Sequence, residues 1–164
     1  MEKIDVHVEI CNEDAILPTY AHESDAGMDI YAAKEVTIEA GQTVIVPTGL
    51  KVAIPVGYEI QVRPRSGISV KTPIRVPNSP GTIDAGYRDE VGVILTNTSE
   101  TQYKGEGPYY IDEKGNQKGD YIIRKGDRIA QFVLQRVPQI NFIRVDNVAE
   151  IGENRQGGFG SSGV

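Results

Sequence analysis

The sequence contains few of the residues that build disulfides and zinc sites. Its 164 residues include one cysteine, Cys11, and two histidines, His7 and His22. An internal disulfide therefore cannot form, and the chain does not supply the ligands of a zinc site. No apolar run approaches the roughly 18 residues of a membrane-spanning helix, and the charged start MEKIDVHVEI lacks a signal-peptide pattern. From these absences we expect a soluble protein of the cytoplasm.

Positive charge is also scarce. Lys and Arg number 17 against 23 Asp and Glu, which gives a formal net charge of -6. This balance argues against general nucleic-acid binding, which relies on Lys and Arg to neutralise phosphates. It does not exclude a small anionic ligand that meets a local group of arginines or brings a metal ion with it.

Common catalytic signatures are missing as well. The chain has no G-x-x-x-x-G-K-[ST] phosphate loop and no G-x-G-x-x-G that opens a helix. Spacing suggests no Ser/His/Asp set. An enzyme made from this chain is therefore expected to act through a carboxylate and phosphate-binding groups.

The apolar residues that are present recur with the period of β-strands. Tyr58, Ile60 and Val62 alternate with polar residues, and short apolar strings are separated by many of the 18 glycines and 9 prolines. The strings are TVIVP (43–47), LKVAIP (50–55), VGVILTN (91–97) and IAQFVLQRV (129–137). This pattern predicts a single all-β domain over residues 1–150, a sandwich or barrel, with a brief helical turn after Ser66.

Two polar, Gly-rich segments interrupt or follow this pattern. Residues 98–126 contain four of the eight tyrosines and are predicted to leave the sheet, with DEKGNQKG as their turn. They could also form a partner-binding surface. Residues 151–164 include RQGGFGSSG, which is typical of a disordered terminus but also of a backbone that closes over an anion.

Four stretches besides this tail combine charged residues with glycine beside predicted strands. They are DAGMDIYA (25–32), RPRSGIS (63–69), VPNSPGTIDAGYRDEVGVILTN (76–97) and GDRIAQFVL (126–134). Singly, each has a plain structural explanation. In order, with the tail fifth, they resemble the five motifs of the trimeric dUTPase family over nearly the whole chain. PRSGIS, GTIDAGY and GGFGSSG are the most similar.

The resemblance implies a distorted β jelly roll that assembles into homotrimers, with active sites where subunits meet. Members hydrolyse dUTP to dUMP and pyrophosphate with Mg²⁺, which keeps uracil out of DNA and supplies dUMP for dTTP synthesis. By similarity, Asp84 orients and deprotonates the water that attacks the α-phosphorus. Because an ordinary aspartate has a pKa of about 3.9, much of the acceleration is expected from positioning and from charge stabilisation by Mg²⁺ and arginine.

The same resemblance implies the groups that bind the substrate. Tyr87 packs beneath the deoxyribose and leaves no room for a 2′-hydroxyl. A hairpin reads uracil through its backbone, and the residues concerned are Asn78, Gly81, Thr82, Ile83 and, on the returning strand, Gly92. The phosphates meet Arg65, Ser66, Gly67 and Gln131. Phe159 stacks on uracil while Arg155, Gly160, Ser161 and Ser162 close over the γ-phosphate.

Two further aspartates are expected to organise the site through hydrogen bonds. These are Asp29, which also reaches the metal through water, and Asp127. Mg²⁺ itself is expected to be held mainly by the triphosphate.

Two alternatives remain open from the sequence. A dCTP deaminase resembles dUTPases in fold and phosphate motif, but it needs a glutamate where this chain has Ile94. A nucleotide-dependent regulatory binding protein is the other, with residues 98–126 as its surface. The products distinguish the three candidate functions. A dUTPase releases pyrophosphate from dUTP, a deaminase releases ammonia from dCTP, and a binding protein binds nucleotide without forming either product.

Overall fold

The computed structural model describes residues 2–158, and these are almost entirely β-structure. The strands are β1 (His7–Ile10), β2 (Met28–Tyr31), β3 (Val36–Ile38), β4 (Thr43–Pro47), β5 (Leu50–Ala53), β6 (Tyr58–Arg63), β7 (Ile74–Arg75), β8 (Gly81–Ile83), β9 (Gly92–Asn97), β10 (Tyr109–Tyr110), β11 (Tyr121–Ile123) and β12 (Arg128–Arg136). One α-helix, α1 (Ser66–Lys71), follows β6, and 3-10 turns cover Thr101–Tyr103 and Val148–Glu150. The all-β prediction and the helical turn at Ser66 are confirmed.

The strands form four small sheets in which neighbours in space are seldom neighbours in sequence. The orders are β1-β5, β10-β11-β3, β2-β12-β6-β8 and β4-β9-β7. All pairs are antiparallel except β10 with β11. Such crossed connections between packed antiparallel sheets are those of a jelly roll.

Alternation along the strands explains both the core and the outer face. In β6, Ile60 and Val62 are buried, while Gln61 and Arg63 lie on the outer side. The core is rich in β-branched residues, which suit strands, and Ile30, Val46 and Ile74 are fully buried. Within residues 2–158, every buried side-chain N and O atom has a hydrogen-bond partner.

The expected hairpin around Asp84 is wrong. β8 pairs with β6, whereas β9 pairs with β4 and β7, so the two strands belong to different sheets. The segment between them crosses from one sheet to the other. Alternation along VPNSPGTIDAGYRDEVGVILTN marks the two strands but carries no information about their partners.

The predicted excursion at 98–126 extends too far. Its last part contains β11, which pairs with β3, and Tyr121 and Ile123 are buried in the core. Tyr109 and Tyr110, which form β10, also pair with β11, so the segment returns to this sheet at two places. In the part of the chain that the structure covers, no helix is long and apolar enough to cross a membrane.

Candidate active site

A cavity of about 210 Å³ lies beside the segment that crosses between sheets. Its lining residues are Val62, Asn78, Gly81, Thr82, Ile83, Tyr87, Val91, Gly92 and Ile94. Of the residues that the sequence predicted around uracil and the sugar, the structure brings together all except Phe159, which lies outside the described residues. Val62, Val91 and Ile94 were not predicted, and their only signal was their place on apolar strands beside the motif.

Two glycines that line this cavity have little or no room for a side chain. A Cβ atom on Gly81 would lie 3.1 Å from the side-chain nitrogen of Asn78 and 3.2 Å from the Cβ of Val62. A Cβ atom on Gly92 would collide with the side chain of Ile45. A side chain at position 81 would therefore press on two residues that line the cavity, whereas one at position 92 would displace Ile45 on β4.

A tight turn after β8 fixes the tyrosine that lines the cavity. The Tyr87 backbone N–H donates to the Asp84 carbonyl at 3.0 Å, and the Tyr87 hydroxyl donates to the Glu90 carbonyl at 2.8 Å. Arg88 Nη1 donates to the carbonyls of Ala85 and Tyr87 at 2.6 and 2.7 Å. Tyr87 as a whole is 40% exposed, so part of the residue remains accessible at the cavity.

Asp84 stands directly after β8, on the exposed side of the strand. Alternation places Ile83 inside and Asp84 outside. Among residues 2–158, its carboxylate takes part in no hydrogen bond or ion pair. Both oxygens are thus available to accept a proton or to orient a water molecule.

A second group of polar side chains surrounds Asp29 on β2. Arg65 Nε and Nη2 donate to the two Asp29 oxygens at 2.8 and 3.3 Å. Arg128 Nη1 and Gln131 Nε2 donate to them at 3.4 and 3.3 Å. Cross-strand register explains the contact with Gln131, since this residue pairs with Asp29 on one side and Arg63 on the other. The sequence predicted Asp29, Arg65 and Gln131 here but missed Arg128.

The helix that follows Arg65 begins without a side-chain cap. Its first residue, Ser66, is exposed. No atom of the described chain comes within 4 Å of a Cβ built on Gly67, so the protein's own packing does not require glycine there. Open space and uncapped N–H groups at this point leave room for an anion to approach closely.

The two groups lie far apart in one chain, although β2, β12, β6 and β8 share a sheet. Asp29, Gln131 and Arg63 form one row across the strands, while Asp84 follows Ile83, which is in register with Ile60. With ideal strand geometry, three strand spacings and a further four residues along the chain through β8 put Asp84 roughly 20 Å from Asp29. A single chain therefore does not bring Asp84 to the Asp29 group.

Asp127 makes its hydrogen bonds apart from the Asp29 group. Its Oδ2 accepts from the Arg124 backbone N–H at 2.8 Å, and its Oδ1 lies 3.6 Å from the Arg124 guanidinium. The aspartate thus closes the turn before β12, where a three-residue reach makes the local contact easier than a distant one. Arg155 is exposed in the C-terminal coil. Phe159, Gly160, Ser161 and Ser162 lie outside the described residues.

The protein side chains alone do not form a metal centre. Within the described chain, no group of three or more His, Cys, Asp or Glu residues could hold a metal ion. The Asp29 oxygens already accept from two arginines and a glutamine. This donor set fits a cation that is held mainly by phosphate oxygens and meets Asp29 through water.

Comparison with known proteins gives one consistent result. A family model for dUTPase matches residues 13–105. The deoxyuridine 5′-triphosphate nucleotidohydrolase of Clostridium tetani is 36% identical over 163 residues, which cover 99% of each chain. The enzyme of the same name from Clostridium novyi is 40% identical and covers 96% of this chain and 97% of its own.

Solved structures agree with the sequence comparison. A mutant dUTPase of Staphylococcus bacteriophage 80α with dUpNHpp superposes with a TM-score of 0.84 at 32% identity, covering 99% of this chain and 100% of that one. A mutant dUTPase from phage φ11 of S. aureus, which coordinates a structural Mg(II) ion, gives a TM-score of 0.80 at 30% identity. That superposition covers 88% of this chain and 99% of the phage protein.

Proposed function

Because the chain belongs to the dUTPase family and hydrolyses dUTP to dUMP and pyrophosphate, we propose that Asp84 is the base of this reaction. The free carboxylate beside the cavity is the observation that carries the proposal. Asp84 orients a water molecule towards the α-phosphorus and accepts its proton as the new P–O bond forms. Pyrophosphate leaves from the opposite side, as in-line displacement requires.

Uracil enters the cavity beside β8, whose free backbone edge reads it. Among the strands that the structure describes, β8 pairs with β6 alone, so its other edge offers N–H and C=O groups. Uracil presents one N–H between two carbonyl groups, a pattern that an extended backbone can match. The amino group of cytosine reverses part of this pattern, and we propose that the lining side chains exclude the methyl group of thymine. A buried polar mismatch is costly, which gives the enzyme its base specificity.

Tyr87 selects the sugar. Its hydroxyl is tied to the Glu90 carbonyl, so its ring cannot turn aside easily. The ring packs beneath the deoxyribose, in the space that a 2′-hydroxyl would need.

The Asp29 group binds the triphosphate. Asp29 holds the Arg65 guanidinium in place, and Arg65, Ser66, Gly67 and Gln131 face the phosphates. The triphosphate, with Asp29 acting through water, would hold Mg²⁺, and the ion when bound would neutralise charge on the phosphate oxygens. Fixed donors of this kind lower the reorganisation needed as charge moves towards the leaving pyrophosphate.

A complete site requires a second copy of the chain, and we propose a homotrimer. The separation of roughly 20 Å between Asp29 and Asp84 supports sites shared between subunits. Apolar side chains beyond the last strand support it too, since Ile140, Phe142 and Ile143 are 77–89% exposed. A groove of about 300 Å³ near the N-terminus, lined by Val6, Leu17, Tyr20 and other apolar residues, offers a surface that could cover them.

The tail from residue 151 onwards is proposed to close over the γ-phosphate once substrate is bound, with Phe159 on uracil. Location in the cytoplasm stays a prediction of the sequence.

A panel of nucleoside triphosphates tests the proposal. We expect pyrophosphate from dUTP and little from dCTP, dTTP or UTP. Ammonia release from dCTP would support a deaminase, but Ile94, where that chemistry needs a glutamate, lines the cavity with an apolar side chain. Comparable turnover of all four nucleotides would contradict the proposed reading of uracil and sugar.

A further inference from the structure

Helix α1 ends in carbonyl groups that depend on partners outside the helix. A helix of six residues is too short to be stable alone, and its last carbonyl groups have no partners within it. The Lys71 carbonyl accepts from the backbone N–H of Asn116 at 2.9 Å. The Thr72 carbonyl accepts from Arg75 Nη1 at 2.6 Å.

The next carbonyl is held in the same way. The Pro73 carbonyl accepts from the backbone N–H of Thr98 at 3.0 Å and from its hydroxyl at 2.8 Å. Of the carbonyl groups of residues 71 to 73, the first is therefore bound by Asn116 and the third by Thr98. Both belong to residues 98–126, to which the proposed reaction gives no role.

The base of residues 98–126 is tied firmly to the core, so its contacts with α1 have a defined position. Asn97 is fully buried, and its side-chain N–H groups donate to the carbonyls of Ile38 and Gly119 at 2.9 and 2.7 Å. The carboxylate of Asp120 accepts from the backbone N–H groups of Ala40 and Gly105 at 2.9 and 3.0 Å. These bonds hold both the outgoing and the returning chain.

We propose that residues 98–126 position the triphosphate-binding helix, with Asn116 and Thr98 as positioning residues. Asn116 binds the last residue of α1 and Thr98 binds Pro73, two residues beyond it, and the helix transmits that position over about 9 Å to Ser66 and Gly67 at its start. The inference rests on the proposed role of Ser66 and Gly67 in binding phosphates. Holding such donors in place before substrate arrives lowers the cost of binding and reaction.

A matched pair of substitutions at Asn116 tests the contact. Asn116 has a φ of 49°, which glycine adopts freely and proline cannot. Asn116→Gly keeps the N–H donor and the backbone conformation, whereas Asn116→Pro removes both. Asn116 is exposed, so neither change touches the core.

Affinity for dUpNHpp and for dUMP is measured by calorimetry for both variants. We expect Asn116→Pro to weaken dUpNHpp binding by roughly three- to tenfold, the effect of losing one hydrogen bond. Binding of dUMP, which has no bridging phosphate oxygens, should stay within about twofold of wild type. Asn116→Gly should match wild type for both ligands.

Thr98→Val provides an independent variant that keeps the shape of the side chain and loses only the hydroxyl donor. It should shift the ratio of the two affinities in the same direction by roughly twofold. Amide exchange at Ser69 and Thr72 should also accelerate in Asn116→Pro. A purely structural role would lower the melting temperature without changing the ratio. If Asn116→Pro does not fold, the affinity ratio of Thr98→Val tests the positioning role on its own.

Unchanged affinity ratios in the folded variants would overturn the inference. Ser66→Ala, measured in parallel, separates this failure from that of the phosphate assignment. If Ser66→Ala weakens dUpNHpp binding and Asn116→Pro does not, only the positioning role is wrong. If Ser66→Ala does not change dUpNHpp affinity, Ser66 does not bind the phosphates, and the positioning role that depends on it is wrong as well.

Discussion

Active sites shared between chains can be detected by mixing two inactive variants. Asp84→Asn removes the proposed base and leaves the Asp29 group intact, whereas Arg65→Gln removes a phosphate donor and leaves Asp84 intact. The two residues must act on one substrate, so they have to come within on the order of 10 Å of each other. Within one chain, Arg65 binds Asp29, which is roughly 20 Å from Asp84.

The expected recovery follows from this separation. In a closed cyclic trimer formed from an equal mixture, a site is complete when its Asp84 comes from the Arg65→Gln chain and its Arg65 from the Asp84→Asn chain. Each event has a chance of one half, so about a quarter of the sites should be active. If each site took both Asp84 and Arg65 from the same chain, every site would contain one of the two substitutions, and no activity would be recovered.

The assay is pyrophosphate release from dUTP after the variants are unfolded and refolded together. Each variant refolded alone, and the two mixed only after refolding, serve as controls that should remain nearly inactive. Native mass spectrometry verifies that mixed trimers have formed. Verified mixed trimers without recovered activity would refute the shared site, and a monomer in solution would refute the assembly itself.

Three further predictions concern single side chains. Tyr87→Ala should open the space below the sugar, so the dUTP/UTP ratio of kcat/KM should fall at least about tenfold, or 1.4 kcal/mol, and an unchanged ratio would exclude steric selection by Tyr87. Gly92→Ala should raise the KM for dUTP because its Cβ displaces Ile45, and adding Ile45→Ala should reverse the rise if the collision is the cause. Burial raises the pKa of Tyr121 to about 12, so its phenol should ionise above the other tyrosines in an ultraviolet titration. As the pH rises, the unfolded chain loses the Tyr121 proton before the folded chain does, so the free energy of unfolding should fall between about pH 10 and 12. Tyr121→Phe should lose this pH dependence. If the free energy of unfolding falls equally in Tyr121→Phe, the pH dependence belongs to other groups.

Local patterns in the sequence predicted the strands and the residues of the motifs, but not which strands pair. Alternation in β6 gave its inward and outward faces correctly, because side-chain direction depends only on neighbouring residues. The partners of β8 and β9 depend on contacts between distant parts of the chain, and the predicted hairpin was therefore wrong. β11 was missed as part of the core for the same reason, since its partner β3 lies some eighty residues earlier.

In the candidate site, too, the sequence predicted which residues take part better than it predicted their partners. The motifs predicted Asn78, Gly81 and Tyr87, which meet at one cavity. They also predicted Asp127 in the site, whereas its carboxylate has a nearer partner in Arg124. Asn116 and Thr98 bind backbone carbonyl groups, those of Lys71 at the end of α1 and of Pro73 just beyond it, and no side-chain pattern in the sequence predicts such contacts.

Asp84→Asn, with binding and turnover measured on the same preparation, tests the central claim most directly. The substitution keeps the shape of the side chain and removes its ability to accept a proton from water. We expect the affinity for dUpNHpp to stay within about tenfold, or 1.4 kcal/mol, of wild type. Turnover of dUTP should fall by at least about a hundredfold, as for the loss of a general base. Turnover within tenfold of wild type, with binding intact, would contradict the assignment of Asp84 as the base.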